Sequence, residues 1–330
     1  MKKKAAGILI GILAAAGTLA GCAARQPAQE EEEKDLITVG FSQVGAESDW
    51  RIANTESMKE ALSEENGFEL IVSDAQQKQE NQTKAIRDFI SQEVDVIVLA
   101  PVTEDGWETV LEEAKEAEIP VIVMDRMIDV DDPSLYTCWV GSDFKQEGID
   151  AANWLVSYME EQGRGDEQHN IVVLKGTIGS SAQIGRSEGF NETIVKYRNY
   201  KILTQQNGEF TQARGRKAME ECLEEYQDID VVVSQNDNMS FGVIQALKAA
   251  GKKPGEDVVI ISFDAVRAAF EAMIRGELNV CIECNPLHGP KVAELAKKIV
   301  AGEKVDKVQY MEEGIYPAET AEQELPNRKY

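Results

Sequence analysis

Two aspartates stand where an α/β chain could use them for chemistry. Val121-Ile122-Val123-Met124 runs directly into Asp125-Arg126, and Val259-Ile260-Ile261-Ser262-Phe263 runs into Asp264. Each puts a carboxylate at the carboxyl edge of a buried strand, which is where open parallel sheets bind ligands. An ionised carboxylate only accepts hydrogen bonds and a guanidinium only donates, so Asp125-Arg126 offers both halves of a polar contact. The same two aspartates could act as a carboxylate pair across one scissile bond, or each could simply open a turn. Acid–base work is disfavoured because arginine or amide partners neutralise each carboxylate. Ser42 and Trp107, at the ends of strands in the same half as Asp125, are further candidates to line a cleft.

Other motifs carry less. Cys281-Ile282-Glu283-Cys284 has the C-x-x-C spacing of redox and zinc sites. This segment reads as a strand, in which residues three apart point to opposite faces, so neither a metal nor a disulfide is expected there. Cys138 and Cys222 have no metal-ligand spacing, and a disulfide elsewhere stays open. Gly176-Thr177-Ile178-Gly179 lacks the third glycine of a dinucleotide loop. His169 and His288 accompany no activated nucleophile, and no calcium-loop pattern occurs. The expectation is a protein with no cofactor, no metal and no catalysis.

The elements that must position Asp125 and Asp264 follow from hydrophobic patterning. Short Val/Ile/Leu runs at Ile37–Val44, Glu69–Ser73, Val94–Ala100, Val121–Asp125, Ile171–Lys175, Lys201–Thr204, Val231–Ser234 and Val258–Asp264 predict strands. Helical spacing occupies Asn81–Gln92, Trp107–Ala117, Phe144–Met159, Gln212–Tyr226 and Met239–Ala250. Apolar strands alternating with helices predict parallel sheets covered on both faces. The pattern also repeats loosely, Ile97–Pro101 to Asp125 being echoed by Val231–Gln235 to Asp264, which predicts two facing sheet edges with a cleft between them.

The first 22 residues have a different logic. Lys2, Lys3 and Lys4 precede an apolar run from Ala5 to Leu19, interrupted by Gly7, Gly11 and Gly17, and then Ala20-Gly21-Cys22. That is a secretory signal, too short and too rich in glycine for the roughly 20 apolar residues of a membrane span. Residues 23–35, with four consecutive glutamates at Glu30–Glu33, predict an acidic flexible tether. A formal charge of −25 argues against nucleic acid and against a second contact with an anionic bilayer. About 300 residues remain, enough for two lobes with cores of their own.

Several stretches carry a resemblance. Gly40-Phe41-Ser42-Gln43-Val44-Gly45-Ala46-Glu47-Ser48, Gln76-Gln77-Lys78-Gln79-Glu80-Asn81-Gln82, Pro120 to Arg126 and Gln235-Asn236-Asp237 resemble the type I periplasmic binding proteins. The match is to their ribose-binding-like branch and, within it, the galactofuranose-binding subgroup, over about Ile37 to Tyr316. Leu19-Ala20-Gly21-Cys22 likewise resembles the lipobox of bacterial lipoproteins, which implies lipidation at Cys22 and an extracytoplasmic, membrane-anchored protein.

The resemblance implies two Rossmann-like lobes joined by three crossings. One lobe is expected over residues 36–141 and 285–311, the other over 142–284 and 312–330, closing on one monosaccharide. It carries Trp50, Arg51, Arg186, Phe210 and Asn236 onto the cleft beside Asp125, Arg126 and Asp264, and it places Glu283 near the last crossing as a polar contact. Ribose binders have two aromatics where this chain has Trp50-Arg51, so Arg51 departs from the ribose pattern and matches the galactofuranose one. Sugar chemistry agrees with these residue types, because hydroxyls want charged forks and the C–H faces of a ring want aromatics. The implied partners are an ABC transporter permease and its ATPase, the receptor itself being a monomer. The alternatives are a sensor subunit feeding a signalling protein, and a repressor of the same fold, which would need a basic helix-turn-helix in place of the signal and tether.

Overall fold

The structure, a computed structural model, describes residues 36–330. The signal segment, Cys22 and the acidic tether lie outside the described residues.

In chain order the first sheet begins with β1 (Ile37–Gln43), α1 (Asp49–Ala61), β2 (Phe68–Asp74), α2 (Gln79–Ser91), β3 (Val96–Leu99), α3 (Glu108–Glu116), β4 (Val121–Met124) and β5 (Cys138–Gly141). The chain then builds α4 (Phe144–Glu161), β6 (His169–Lys175), α5 (Ser181–Ile194), β7 (Tyr200–Asn207), α6 (Gln212–Glu225), β8 (Val231–Ser234), α7 (Asp237–Ala249), β9 (Val259–Asp264), α8 (Arg267–Ile274) and β10 (Val280–Glu283). It returns through α9 (Gly289–Val300) and β11 (Val308–Tyr310), and crosses again to β12 (Ile315–Pro317).

Two six-stranded sheets result, ordered β11-β5-β4-β3-β1-β2 and β12-β10-β9-β8-β6-β7. The order is the same in both, which is the structural form of the sequence repeat. All pairs are parallel except β10 with β12. The central strands read as continuous apolar runs because both faces are covered: every residue of β3, β4, β8 and β9 is buried. In the first sheet Val96 and Val98 pack with Met58 and Leu295, toward α1 and α9, while Ile97 and Leu99 pack with Phe89 and Leu111, toward α2 and α3. The second sheet is sandwiched in the same way, with Val231 and Val233 against Leu155 and Phe190, and Val232 against Met219 and Val243.

The chain passes between the sheets three times, after β5, after β10 and between β11 and β12. Beyond β12 the tail packs on α8 of the second sheet, with the Arg267 amide donating to the Tyr330 carbonyl at 2.6 Å.

Candidate functional site

The carboxyl ends of both sheets face one cavity. The cavity is small, about 30 Å³, far below the roughly 300–1,000 Å³ usual for small-ligand sites. From the first half, the β1–α1 connection and the first turn of α1 supply Glu47, Ser48, Trp50 and Arg51, and the turn after β4 supplies Asp125 and Arg126. From the second half come Phe144 at the start of α4, Ala182 and Arg186 on α5, Phe210 after β7, Asn236 after β8, Asp264 at the end of β9, and Cys284 after β10.

Eight of the eleven expected side chains therefore line this cavity: Trp50, Arg51, Asp125, Arg126, Arg186, Phe210, Asn236 and Asp264. The other three do not. Ser42 is fully buried in β1, inside the first sheet. Trp107 is fully buried against the core with Ile97 and Leu99, its indole N–H donating to the Thr103 carbonyl at 2.8 Å. Glu283 is claimed by the tail, because β12 pairs antiparallel with β10 and brings Arg328 and the Tyr330 hydroxyl each to 2.6 Å from its Oε1. Ser48, Phe144, Ala182 and Cys284 line the cavity outside the expected set, and so does Glu47. It lies within Gly45-Ala46-Glu47-Ser48, a stretch already singled out in the sequence, but a glutamate in a connecting loop carries no local signal that it points inward.

The first half forms a charge lattice. Arg51 Nη2 is 2.7 Å from Asp125 Oδ2, its Nε donates to Glu47 Oε1 at 3.2 Å and its Nη1 to Gln43 Oε1 at 3.2 Å. Arg126 Nη1 donates to the Val102 carbonyl at 2.8 Å, and its Nη2 stands 3.8 Å from Glu47. Burial works against every one of these charges, yet Arg51 and Arg126 override it at Asp125 and hold that carboxyl below its usual range. Arg126 is brought down to about 10, by burial first and then by the neighbouring Arg51. Among the described residues Glu47 Oε2 is buried with no hydrogen-bond partner, an acceptor left for a ligand hydroxyl.

The second half is built differently. Arg186 Nε donates to Glu147 Oε2 and its Nη1 to the Gln235 carbonyl, both at 2.6 Å, while Nη2 reaches only to 3.7 Å from Asp264. Burial drives the Asp264 pKa well above the usual carboxylate range; Arg186 opposes this, and Asp237, Glu147 and Asp125 reinforce it. Asn236 caps α7, accepting from the Met239 amide at 2.9 Å, and donates to the Phe210 carbonyl at 3.1 Å. It serves as helix cap and cavity wall together.

Aromatic faces complete the lining. Arg51 lies 4.6 Å from the Trp50 ring and Arg126 5.3 Å from the Phe210 ring. The Phe210 position depends on Gly176, where an added Cβ would fall 1.9 Å from the ring. Backbone strain gathers at the same place: Asp125, Phe210 and Asp264 all have positive φ, at 62°, 57° and 104°. Such conformations cost about 1–3 kcal/mol each and concentrate at functional sites. Bonds between the halves close the cavity, from Trp50 Nε1 to the Cys284 carbonyl at 2.6 Å, from the Met127 amide to Ser181 Oγ at 2.8 Å, and from the Glu104 amide to the Gly179 carbonyl at 2.9 Å.

Comparison with known proteins places this arrangement. The profile of the periplasmic binding protein domain matches residues 39–304. Over 297 residues the chain is 43% identical to the galactofuranose-binding protein YtfQ of Escherichia coli K12, covering 89% of this chain and 92% of that one. A Mycobacterium smegmatis protein solved in complex with β-D-fucofuranose is 45% identical with a TM-score of 0.86, over 89% of this chain and 95% of that one. The periplasmic binding component of an arabinose ABC transporter from Shewanella sp. ANA-3, bound to α- and β-L-arabinofuranose, is 43% identical with a TM-score of 0.84, over 88% and 95%. Two matching sheets that close on one polar cavity, on a chain aligned to these proteins along nearly nine-tenths of its length, belong to the periplasmic binding protein family, in its type I, ribose-binding-like branch.

Proposed function

We propose that this protein is the extracytoplasmic binding component of an ABC sugar importer, capturing a furanose-form monosaccharide such as galactofuranose and handing it to a membrane permease. The observation that carries the reading is the cavity itself: guanidinium and carboxylate groups from both halves converge on a small space bounded by Trp50 and Phe210. Charge-assisted hydrogen bonds of about 1.5–3 kcal/mol each suit a ligand with several hydroxyls, and the aromatic faces suit its C–H surface. The lobes, 36–141 with 285–311 and 142–284 with 312–330, would hinge at the three crossings. A ligand touching both lobes binds the closed state better than the open one, and that differential affinity is what shifts the population.

A thermal-shift screen with galactose, arabinose, fucose, ribose and fructose, each in furanose-enriched and ordinary form, tests the reading. A ligand at a hundred times its dissociation constant adds about 2.7 kcal/mol of stability. Stabilisation by one or more furanose-enriched sugars, recovered chemically unchanged, is the expected result. No response to any sugar, or conversion of the sugar in proportion to protein, would sink the proposal.

The anchor is a second part of the proposal and rests on the sequence Leu19-Ala20-Gly21-Cys22. Lipidation at Cys22, with residues 23–35 as tether, would hold the receptor at the membrane surface. Cys22→Ser should release the protein from the membrane fraction with unchanged sugar affinity. Retention of that variant in the membrane would mean that the apolar run is itself the anchor.

A further inference from the structure

Each of the three crossings contributes one potential metal ligand to a single cluster. Glu147 stands in the first turn of α4, after the first crossing; Cys284 follows β10, at the second; Glu313 lies between β11 and β12, at the third. One ligand atom from each, a carboxylate oxygen, the sulfur and a carboxylate oxygen, lie within 4.8 Å of one another. Ser142 Oγ joins them, 3.3 Å from Cys284 Sγ and donating to Glu313 Oε1 at 2.5 Å. The cluster adjoins the sugar-facing groups, because Cys284 also lines that cavity and Glu147 is bonded to Arg186.

Glu313 Oε1 is satisfied by Ser142 Oγ and by the Asn285 amide, which donates at 2.8 Å, so the unmet need lies at Glu147. Glu147 is 4% exposed; its Oε2 is taken by Arg186, and among the described residues its Oε1 has no hydrogen-bond partner. Arg186 is already shared with Gln235 and Asp264. An adjoining cavity of about 180 Å³, lined by Asp143, Asp150, Glu147, Glu313 and Gly314, offers an acidic way in from solvent.

We propose that Glu147, Cys284 and Glu313 form a binding site for a borderline divalent cation, Zn²⁺ being the best fit, which ties the three crossings together. The donor set decides the class: one sulfur with two carboxylate oxygens favours Zn²⁺ over Mg²⁺ or Ca²⁺, which prefer oxygen alone. Bonds of about 2.3 Å to sulfur and 2.0–2.2 Å to oxygen imply ligand atoms about 3.3–3.7 Å apart in a tetrahedron, so the side chains must draw in by about 1 Å from the separation found here. A water or Ser142 Oγ takes the fourth position. Binding releases the Cys284 thiol proton and any carboxyl proton to solvent. The C-x-x-C spacing is irrelevant to this site, because Cys281 is engaged elsewhere, its sulfur donating to Asp237 Oδ1 at 2.9 Å.

Cobalt(II) is the probe, since its bond to a thiolate gives a near-ultraviolet charge-transfer band that carboxylates alone do not give. The reduced, chelator-stripped full chain carrying Cys22→Ser is titrated with Co²⁺ and then with Zn²⁺. One equivalent of Co²⁺ should bind with that band, and Zn²⁺ should displace it. Cys284→Ser should abolish the band, Glu313→Gln should weaken binding by at least about tenfold, and Cys222→Ser, on α6, should leave both unchanged. If Cys284→Ser does not fold by circular dichroism, the band in the parent chain together with the Glu313→Gln and Cys222→Ser titrations decides. Absence of the band at stoichiometric Co²⁺, its survival in folded Cys284→Ser, or unweakened binding in Glu313→Gln would overturn the proposal.

Discussion

Asp125 and Asp264 end equivalent strands of two sheets with the same strand order, both with positive φ and both at the cavity wall. Their surroundings pull them in opposite directions. Asp125 has Arg51 at 2.7 Å and Arg126 beside it, which hold it ionised. Asp264 has Arg186 only at 3.7 Å, because that arginine is spent on Glu147 and Gln235, and it has Asp237, Glu147 and Asp125 for company. An ionised carboxylate is an acceptor only, whereas a protonated one also donates. The same position in a repeated architecture thus presents two different faces to a ligand, and the difference is set by which neighbours each arginine is already bonded to.

The largest test of this comparison exchanges the arginines. Arg186→Ala strands Glu147 without its buried partner, a change that costs about 3–5 kcal/mol, so this variant should lose fold stability as well as sugar binding. That departs from the expectation raised by its place outside the apolar strand pattern, from which it would be dispensable for folding. Arg126→Ala breaks fewer internal bonds and should lose about 2–5 kcal/mol of sugar binding with a smaller change in melting temperature. Calorimetry and thermal melts on both variants check the split; equal stability losses would erase the distinction between the two arginines.

Exchanging the aspartates is the next test. Asn is neutral and carries both donor and acceptor, so it imitates a protonated Asp264 but not an ionised Asp125. Asp264→Asn should cost under about 1 kcal/mol of sugar binding, whereas Asp125→Asn, which leaves Arg51 and Arg126 facing each other, should cost about 2–4 kcal/mol. The reverse ranking by calorimetry would show that Asp264 binds the sugar as a carboxylate.

A smaller effect separates the halves by pH. His288 is fully buried, its Nδ1 2.8 Å from Asn54 Nδ2, and burial brings its pKa down to about 4. Its folded pKa lies below the unfolded value near 6.5, so the unfolded chain takes up the proton first and stability falls as the pH drops through 6.5 toward 4. Between pH 7 and pH 5 the loss is about 2 kcal/mol. Asp237, in the second half, is raised to about 6 chiefly by burial, and it carries the opposite sign, stability rising as the pH falls through 6 toward the usual 3.8. Denaturant melts across this range should show a steeper acid slope in Asp237→Asn and a shallower one in His288→Gln. Unchanged slopes would mean that neither group is as well sealed as its burial indicates.

Most of the fold was legible, because a parallel sheet covered on both faces writes continuous apolar runs into the chain, as at Val96–Leu99 and Val231–Val233. α1, β5, α5, α8, α9, β11 and β12 were not among the expected elements, and for some of them that signal is missing. β11 and β12 span three residues each and are partly exposed. α5 has no apolar stripe, since it packs on α4 through glycine: at Gly189 an added Cβ would meet the Lys145 carbonyl oxygen at 2.0 Å. At the cavity, the expected residues that line it either adjoin a strand end, as Asp125 and Asp264 do, or were carried there by the family resemblance. Ser42 also stands near a strand end, and Trp107 precedes α3, eight residues past the end of β3, but both turn into the first sheet's interior, an orientation that only the packing of α2 and α3 determines. Glu283 lies at a strand end too, and it is the tail, more than 40 residues further along, that occupies it.

The bond from the Trp50 indole to the Cys284 carbonyl has an optical consequence. Trp107 and Trp139 are packed within the first sheet's core and Trp154 stacks on Tyr158 along α4, so Trp50 is the one tryptophan on the cavity wall. Its N–H is held by a residue at the second crossing, and Arg51 lies over its ring. Opening of the lobes would break that bond and wet the ring. The chain thus carries its own fluorophore at the seam, and its emission colour should report lobe movement in real time without any attached label.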